Sequence, residues 1–393
     1  MPPLEIAIAG CGPAGLAAAL LLHRDGHHVT LFERFDAARP IGSGLMIQPT
    51  GLGVLRALGL EDRLLAHGAR IARLTGEASG RSVLDVHYAA LDGDRFGVGI
   101  HRASLFEILH AAVEAAGIAV RTGCEVEGSA REGARRRLHL KDGRSVLADL
   151  VVDALGARSA LATGPTRALA YGALWASVPW QSGFDETALQ QRYRRASVMA
   201  GVLPTGARPG TSVREAAFFW SLRADRLDEW RARGLDAWKA EVTALWPATR
   251  PLLDDIVDLD QLTFARYAHR TLGTPAEPGL IHIGDAWHST SPQLGQGANM
   301  ALLDAWAMAL ALRGHQTLDG ALLQAVKLRR RHVRIYQAMS RLLTPVYQSD
   351  GRLIPLLRDR LVGPISKLGP VMRLQAAMVS GLIGAPLRPL GLA

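Results

Sequence analysis

Cysteine is scarce: Cys11 and Cys124 are the only two in 393 residues, too few for a disulfide framework. Long hydrophobic runs are missing as well. A spanning helix needs roughly 18 or more apolar residues in a row, and residues 14–22 form only a short apolar stretch at a helix start. The opening Met1-Pro2-Pro3-Leu4-Glu5 lacks the basic segment and apolar core of a secretion signal. These absences point to the cytoplasm, without a transmembrane anchor. No repeat of fixed period is found, and no metal site is expected.

What is there suits a globular enzyme: 48% hydrophobic and 21% charged residues, enough for two or three structural units around large cores. The formal charge of +9 is concentrated at the end, where residues 327–393 hold 12 Lys or Arg against 2 Asp, leaving the remainder at −1. Those basic residues alternate with Leu, Val, Ile and Met and not with stacking aromatics, so no nucleic-acid partner is expected. The pattern fits a helical subdomain packed on the body or on a second copy, in a monomer or homodimer, and it also offers a peripheral contact with an anionic membrane.

Residues 4–9 read as a buried strand, followed by a glycine turn, an Ala/Leu helix to Arg24 and a second strand at 29–33, a βαβ unit of a parallel sheet. A helix is expected over 101–116, and short strands over 118–152 with a hairpin turn at Asp142-Gly143. Strands at 173–180, 197–203 and 216–222, with helical patterns over 226–246, suggest an inserted antiparallel-sheet domain. A buried strand at 280–283 and a helix at 295–312 return to the first core. The expected class is α/β: a Rossmann-type dinucleotide-binding domain (1–167 and 271–318), an inserted antiparallel-sheet domain (168–270) to hold the substrate and a helical C-terminal region (319–393).

Gly10-Cys11-Gly12-Pro13-Ala14-Gly15 is a G-x-G-x-x-G loop between a strand and a helix. Gly10 makes the tight turn, Gly12 lets the backbone approach a diphosphate, Gly15 allows close helix packing, and the helix N-terminus faces the anion. Pro13 and Ala14 open the helix, Pro13 at a position needing no N–H. Glu33 follows Gly15 by 18 residues, where a carboxylate can accept hydrogen bonds from a ribose.

A second cluster selects among dinucleotides. Gly284-Asp285-Ala286-Trp287-His288 leads through Pro292 and Gly295-Gln296-Gly297-Ala298-Asn299 into a long helix bearing Asp304. The cluster resembles the GD motif and following helix of class A FAD-dependent monooxygenases, the family of para-hydroxybenzoate, salicylate and ubiquinone-pathway hydroxylases. The resemblance implies FAD as cofactor, Asp285 on the ribityl chain, and residues 295–299 placing helix N–H groups at the pyrimidine side of the flavin, where reduced flavin carries negative charge. It gives His288 a structural role. It also matches Arg102 to an FAD-contacting arginine and, less closely, Arg34 to an adenosine-side arginine and residues 42–49 to a mobile flavin-side loop.

One signature departs. Where the family has G-A-D-G-x-x-S, serving FAD and nicotinamide, this chain has Asp153-Ala154-Leu155-Gly156-Ala157-Arg158-Ser159. Leu155 takes the place of the acid and cannot accept a ribose hydrogen bond. NADPH or NADH as electron donor is therefore an expectation of the family that this segment does not support.

The resemblance implies hydroxylation or epoxidation of an apolar, aromatic small molecule with molecular oxygen, through a flavin C4a-hydroperoxide. Trp175, Phe218 and Trp220 are expected to wall the substrate pocket with Pro292, although aromatics alternating on a sheet also build ordinary cores. No catalytic base stands out. The runner-up is a reductase of a lipophilic substrate, resembling geranylgeranyl reductases through Asp153-Ala154-Leu155-Gly156. A halogenase lacks its W-x-W-x-I-P signature here, and a non-catalytic FAD-binding protein would show no substrate-dependent turnover.

Overall fold

The computed structural model describes residues 1–37, 43–366 and 368–392. At its centre is a six-stranded sheet, ordered Ala276–Glu277, Leu280–His282, Leu150–Asp153, Glu5–Ala9, His28–Phe32 and Ala119–Arg121. All neighbours run parallel except the first pair. Helices Pro13–Arg24, Arg102–Ala115 and Gly297–Gly314 supply the core on one face through Leu16, Leu105, Leu302 and Leu303. On the other face lies a three-stranded sheet, Val126–Glu132, Arg135–Leu140 and Ser145–Ala148, packing Leu138 and Leu140 against Ala7, Ala9 and Phe32. Burial on both faces is why the central strands are apolar throughout.

The second sheet has seven strands, ordered Thr263–His269, Arg167–Pro179, Arg214–Arg223, Val198–Ala207, Ala188–Arg194, Arg73–Ala78 and Arg81–His87. Its last two strands come from residues 73–87, well before the expected start of the substrate domain at 168, so two separated chain segments build this domain. Their alternation was faint, because the inward positions Leu74, Gly76 and Ala78 include only one large side chain. The loop expected at 42–49 is also more ordered than anticipated. Gly44–Ile47 is a strand paired with Gly97–His101, and Pro49 begins a helix; Gly42 lies outside the described residues.

The C-terminal region is helical, with Leu318–Tyr347, Leu353–Ser366 and Gly369–Val379. The long first helix packs Ala321, Leu322, Val326 and Val333 onto the flavin-domain core. Leu353, Ile354, Leu357, Leu361 and Leu374 on the last two are exposed. Among the described residues no helix is long and apolar enough to cross a membrane.

Candidate active site

The first glycine turn is sterically specified. Gly10 has φ +104°, and a Cβ there would lie 2.7 Å from the Ala154 carbonyl oxygen; a Cβ on Gly15 would lie 2.0 Å from the Gly10 oxygen. Neither position accepts a side chain. Gly12 differs: a Cβ there meets no protein atom within 4 Å, so this glycine faces open space at the N-terminus of helix Pro13–Arg24, with Pro13 first and Ala14 next. Glu33 is fixed beside it, accepting N–H bonds from Cys11 at 3.1 Å and Phe35 at 3.3 Å. Burial, then the Glu33 charge, push the Cys11 thiol up to about 12, which leaves it inert. Arg34 is exposed and stacks on Phe35.

The second turn faces the same crevice. Gly295 adopts the left-handed conformation at the end of the turn Pro292–Leu294, and helix Gly297–Gly314 follows. A Cβ on Gly297 would find Asp285 Oδ1 as its nearest atom, at 3.9 Å. Asp285 itself is exposed while Gly284, Ala286, Trp287 and His288 around it are buried, so its carboxylate lines a cleft. Enclosure by protein raises its pKa, His288 and Arg102 pull it down, and Asp304 raises it again. Arg102, first residue of its helix, is exposed and has no side-chain partner among the described residues, and its charge is among those that lower the Asp285 carboxyl.

Not every residue of the second turn points there. Asn299 is buried, accepting from Gln48 N–H at 2.7 Å and donating to the Met46 and Gly295 oxygens at 3.1 and 2.9 Å. The Gln296 amide donates to Val379 O. Both side chains brace the turn, so only backbone groups of 296–299, Ala298 included, are available to a ligand. The buried amide Gln48 Nε2, without a partner among the described residues, lies 3.7 Å from where a Gly295 Cβ would stand.

Behind the turn is a buried charge network. Asp304 accepts from Gly284 N–H at 2.9 Å and from Arg329 Nε at 2.8 Å, and lies 2.6 Å from His288 Nε2. Arg329 reaches His332 Nδ1 at 2.9 Å, and His332 Nε2 donates to Gly381 O at 2.9 Å. His288 is thus a strut of the GD turn, as the resemblance implied.

Asp153 itself does not line the crevice. Its carboxylate is fully buried, accepting from Leu155 N–H at 3.0 Å and Ser159 Oγ at 2.6 Å, and meeting His282 Nδ1 at 2.6 Å. It pins the crossover loop beneath Gly10.

Strand register divides the aromatics. Trp175 pairs with Phe219 and Leu174 with Trp220, so Trp175 and Phe219 share one face while Phe218 and Trp220 share the other. Phe218 and Trp220, expected in the pocket wall, are fully buried in the core under helix Leu227–Leu245, with Trp230 and Trp238. The face of Trp175 looks toward the cofactor-side domain: Ser177 on it receives His101 Nε2 at 2.9 Å and meets Ser43 Oγ at 2.9 Å. Trp175 stacks near Phe219, centroids 4.7 Å apart, and donates to the Tyr267 hydroxyl at 3.0 Å. Tyr267 is the residue the sequence did not single out; only the alternation of 263–269 could have flagged it. Burial pushes its phenol up to about 12, although Trp175 and Arg102 pull the other way, so at neutral pH it keeps its proton.

Known proteins are similar to this chain in sequence and in fold. The family model described as "FAD binding domain" matches residues 3–339. The chain is 30% identical over 337 residues to a putative 2-heptyl-3-hydroxy-4(1H)-quinolone synthase of Rhodococcus erythropolis, covering 80% of this chain and 81% of the relative. It is 26% identical over 325 residues to 3-amino-4-hydroxybenzoate 2-monooxygenase of Streptomyces cremeus, covering 77% and 76%. In fold it is similar to the tetrameric form of 2-methyl-3-hydroxypyridine-5-carboxylic acid oxygenase, with TM-score 0.80, 20% identity and coverage of 99% and 98%. It is similar also to Klebsiella pneumoniae HpxO complexed with FAD and uric acid, with TM-score 0.78, 19% identity and coverage of 97% and 98%. Two facing glycine turns, an aspartate between them and a matched family model over most of its length make this chain a member of the FAD binding domain family, in its class A FAD-dependent monooxygenases.

Proposed function

We propose that the chain hydroxylates an aromatic, largely apolar small molecule, held between the flavin and the inner face of the seven-stranded sheet. The observation that carries this reading is the Trp175, Phe219 and Tyr267 cluster on the face turned toward the crevice. One similar protein is named as a monooxygenase of 3-amino-4-hydroxybenzoate and another as a putative synthase of a quinolone, both flat rings, which supports the same class here.

In this reading Gly12 and the N–H groups at Pro13–Arg24 hold the FAD diphosphate, Glu33 the ribose, Asp285 the ribityl chain, and the start of Gly297–Gly314 the pyrimidine edge. Arg102 balances charge, and Arg34 lies at the adenosine end. Open space at Gly12, the cleft-lining Asp285 and the unpaired Gln48 amide fit such a group. FAD, when bound, supplies the activation of oxygen. The chain positions the ring against it, excludes water with Pro292 and the aromatic wall, and offers the Tyr267 hydroxyl as a donor to the substrate.

NADPH or NADH supplies the electrons, in the cytoplasm. Stopped-flow reduction of the bound flavin by each, with candidate aromatic acids and quinolones present, tests this. Substrate-stimulated reduction and coupled oxygen uptake are expected; reduction that transfers hydride to a lipophilic substrate without oxygen uptake would favour the reductase instead.

Pocket and core aromatics separate by mutation. Trp175→Ala should lower kcat/KM at least tenfold with FAD retained, whereas Trp220→Ala should cost about 3–5 kcal/mol of stability as a buried-core truncation. Equal effects of the two on stability and on turnover would remove Trp175 from the pocket.

The exposed Leu353, Ile354, Leu357 and Leu361, beside exposed Arg352 and Arg360, support peripheral contact with an anionic membrane. Pelleting with phosphatidylserine vesicles at low salt should carry the protein down, and phosphatidylcholine vesicles should not; indifference to both lipids would end this reading.

A further inference from the structure

A second cleft, of about 700 Å³, lies between strand Arg167–Pro179 and the C-terminal end of helix Leu318–Tyr347. It shares no residue with the two glycine turns or Asp285. Pairing between Arg167–Pro179 and Thr263–His269 slips between Ala168 and Gly172, and the resulting bulge turns Leu169, Ala170 and Tyr171 toward it.

Its chemistry is cationic. Arg167, Arg270, Arg341 and His269 all line it, with no Asp or Glu among the lining residues. Arg167 and Arg341 are exposed, and neither has a side-chain partner among the described residues. Arg270 and His269 are each only 8% exposed. Arg270 Nε donates to Thr166 Oγ1 at 2.8 Å, but among the described residues its NH1 has no hydrogen-bond partner, and neither has His269 Nδ1. Burial and then the Arg341 charge lower the His269 pKa, and Gln337 beside it pulls the other way. Asp350, next in the chain to the lining residue Ser349, is already taken by Tyr171 and Arg223. A buried guanidinium N–H left unpaired is costly, and three uncompensated guanidiniums call for more than one negative charge.

We propose that this cleft binds the phosphoryl groups of a phosphorylated small molecule, with Arg270 and His269 at its floor and Arg167 and Arg341 at its mouth. The volume suits a nucleotide-sized ligand. Behind the lining residues runs the segment leading into the second glycine turn: Arg270 N–H donates to Ser289 O at 3.2 Å, Thr344 Oγ1 lies 2.8 Å from Ser291 Oγ, and Gln293 donates to Gln348 at 3.1 Å. The site stands whether or not a nicotinamide reduces the flavin.

The test is calorimetric titration of inorganic pyrophosphate into protein saturated with FAD, so that the dinucleotide crevice is filled. One equivalent should bind. Arg167→Gln and Arg341→Gln should each weaken it about tenfold or more, while Arg330→Gln, an exposed arginine elsewhere on the same helix, should change it less than twofold. NADPH or AMP displacing the pyrophosphate would support the site and name a nucleotide as source; displacement by inorganic phosphate alone would support it with free phosphate as source. No binding, equal weakening by all three substitutions, or binding of benzoate in place of pyrophosphate would overturn it.

Discussion

Gly12→Ala should yield a folded, colourless protein. Its Cβ meets no protein atom within 4 Å, so nothing in the fold resists it, but it projects where the diphosphate must approach the backbone. Losing one or two charge-assisted N–H bonds costs roughly 10- to 100-fold or more in FAD affinity, with stability of the flavin-free protein within about 0.5 kcal/mol of the parent. Gly15→Ala should behave oppositely: its Cβ would stand 2.0 Å from the Gly10 carbonyl oxygen, forcing backbone apart at a cost of about 3 kcal/mol or more. Denaturant unfolding and FAD titration on the same samples distinguish the two. If Gly12→Ala keeps its flavin at full affinity, the diphosphate does not lie against this turn.

The second large effect belongs to the buried network. Asp304→Asn removes the charge that faces Arg329 and His288 and should cost about 3–5 kcal/mol, since an unpaired guanidinium is left in the core. The network also makes stability depend on pH. Burial, then the Arg329 charge, hold His332 down at about 3 against an ordinary 6.5. The unfolded chain therefore takes up a proton below pH 6.5 that the folded one refuses until about pH 3, so stability is full above 6.5 and declines across that interval, by at most about 4–5 kcal/mol. Asp304 adds a later loss. Burial would raise its carboxyl, but His288 and Arg329 win and bring it to about 2; its contribution, about 2 kcal/mol, is present above pH 3.8 and lost as pH falls through 2. His332→Gln keeps a partner for Arg329 and for Gly381 O without titrating, and should flatten the decline between pH 6.5 and 4. An unchanged slope in that variant would assign the decline elsewhere.

Why some of this was legible in the sequence follows from the kind of constraint. The glycine turns announce themselves because backbone clash permits no other residue at Gly10 and Gly15, and Asp285 because the turn before it is fixed. The two-sided burial of the parallel strands makes them apolar runs. Pocket aromatics were only half legible: Phe218, Phe219 and Trp220 are consecutive, and composition cannot say which face of a strand meets ligand and which meets a helix until its register with Arg167–Pro179 is known. The strands of 73–87 escaped because their buried positions give little alternating hydrophobic contrast: Gly76 and Ala78 are small, and Val83 and Val86 stand three apart. Tyr267 and the cleft at Arg270 depend on pairing between residues about a hundred positions apart, which no local pattern carries.

The most direct measurement is an equilibrium titration of FAD into flavin-stripped protein, followed by flavin absorbance and fluorescence. One equivalent should bind per chain, with a shifted visible band, because both turns and Asp285 address a single molecule. A chain that takes up no flavin, or binds AMP as tightly as FAD so that the second turn contributes nothing, would contradict it.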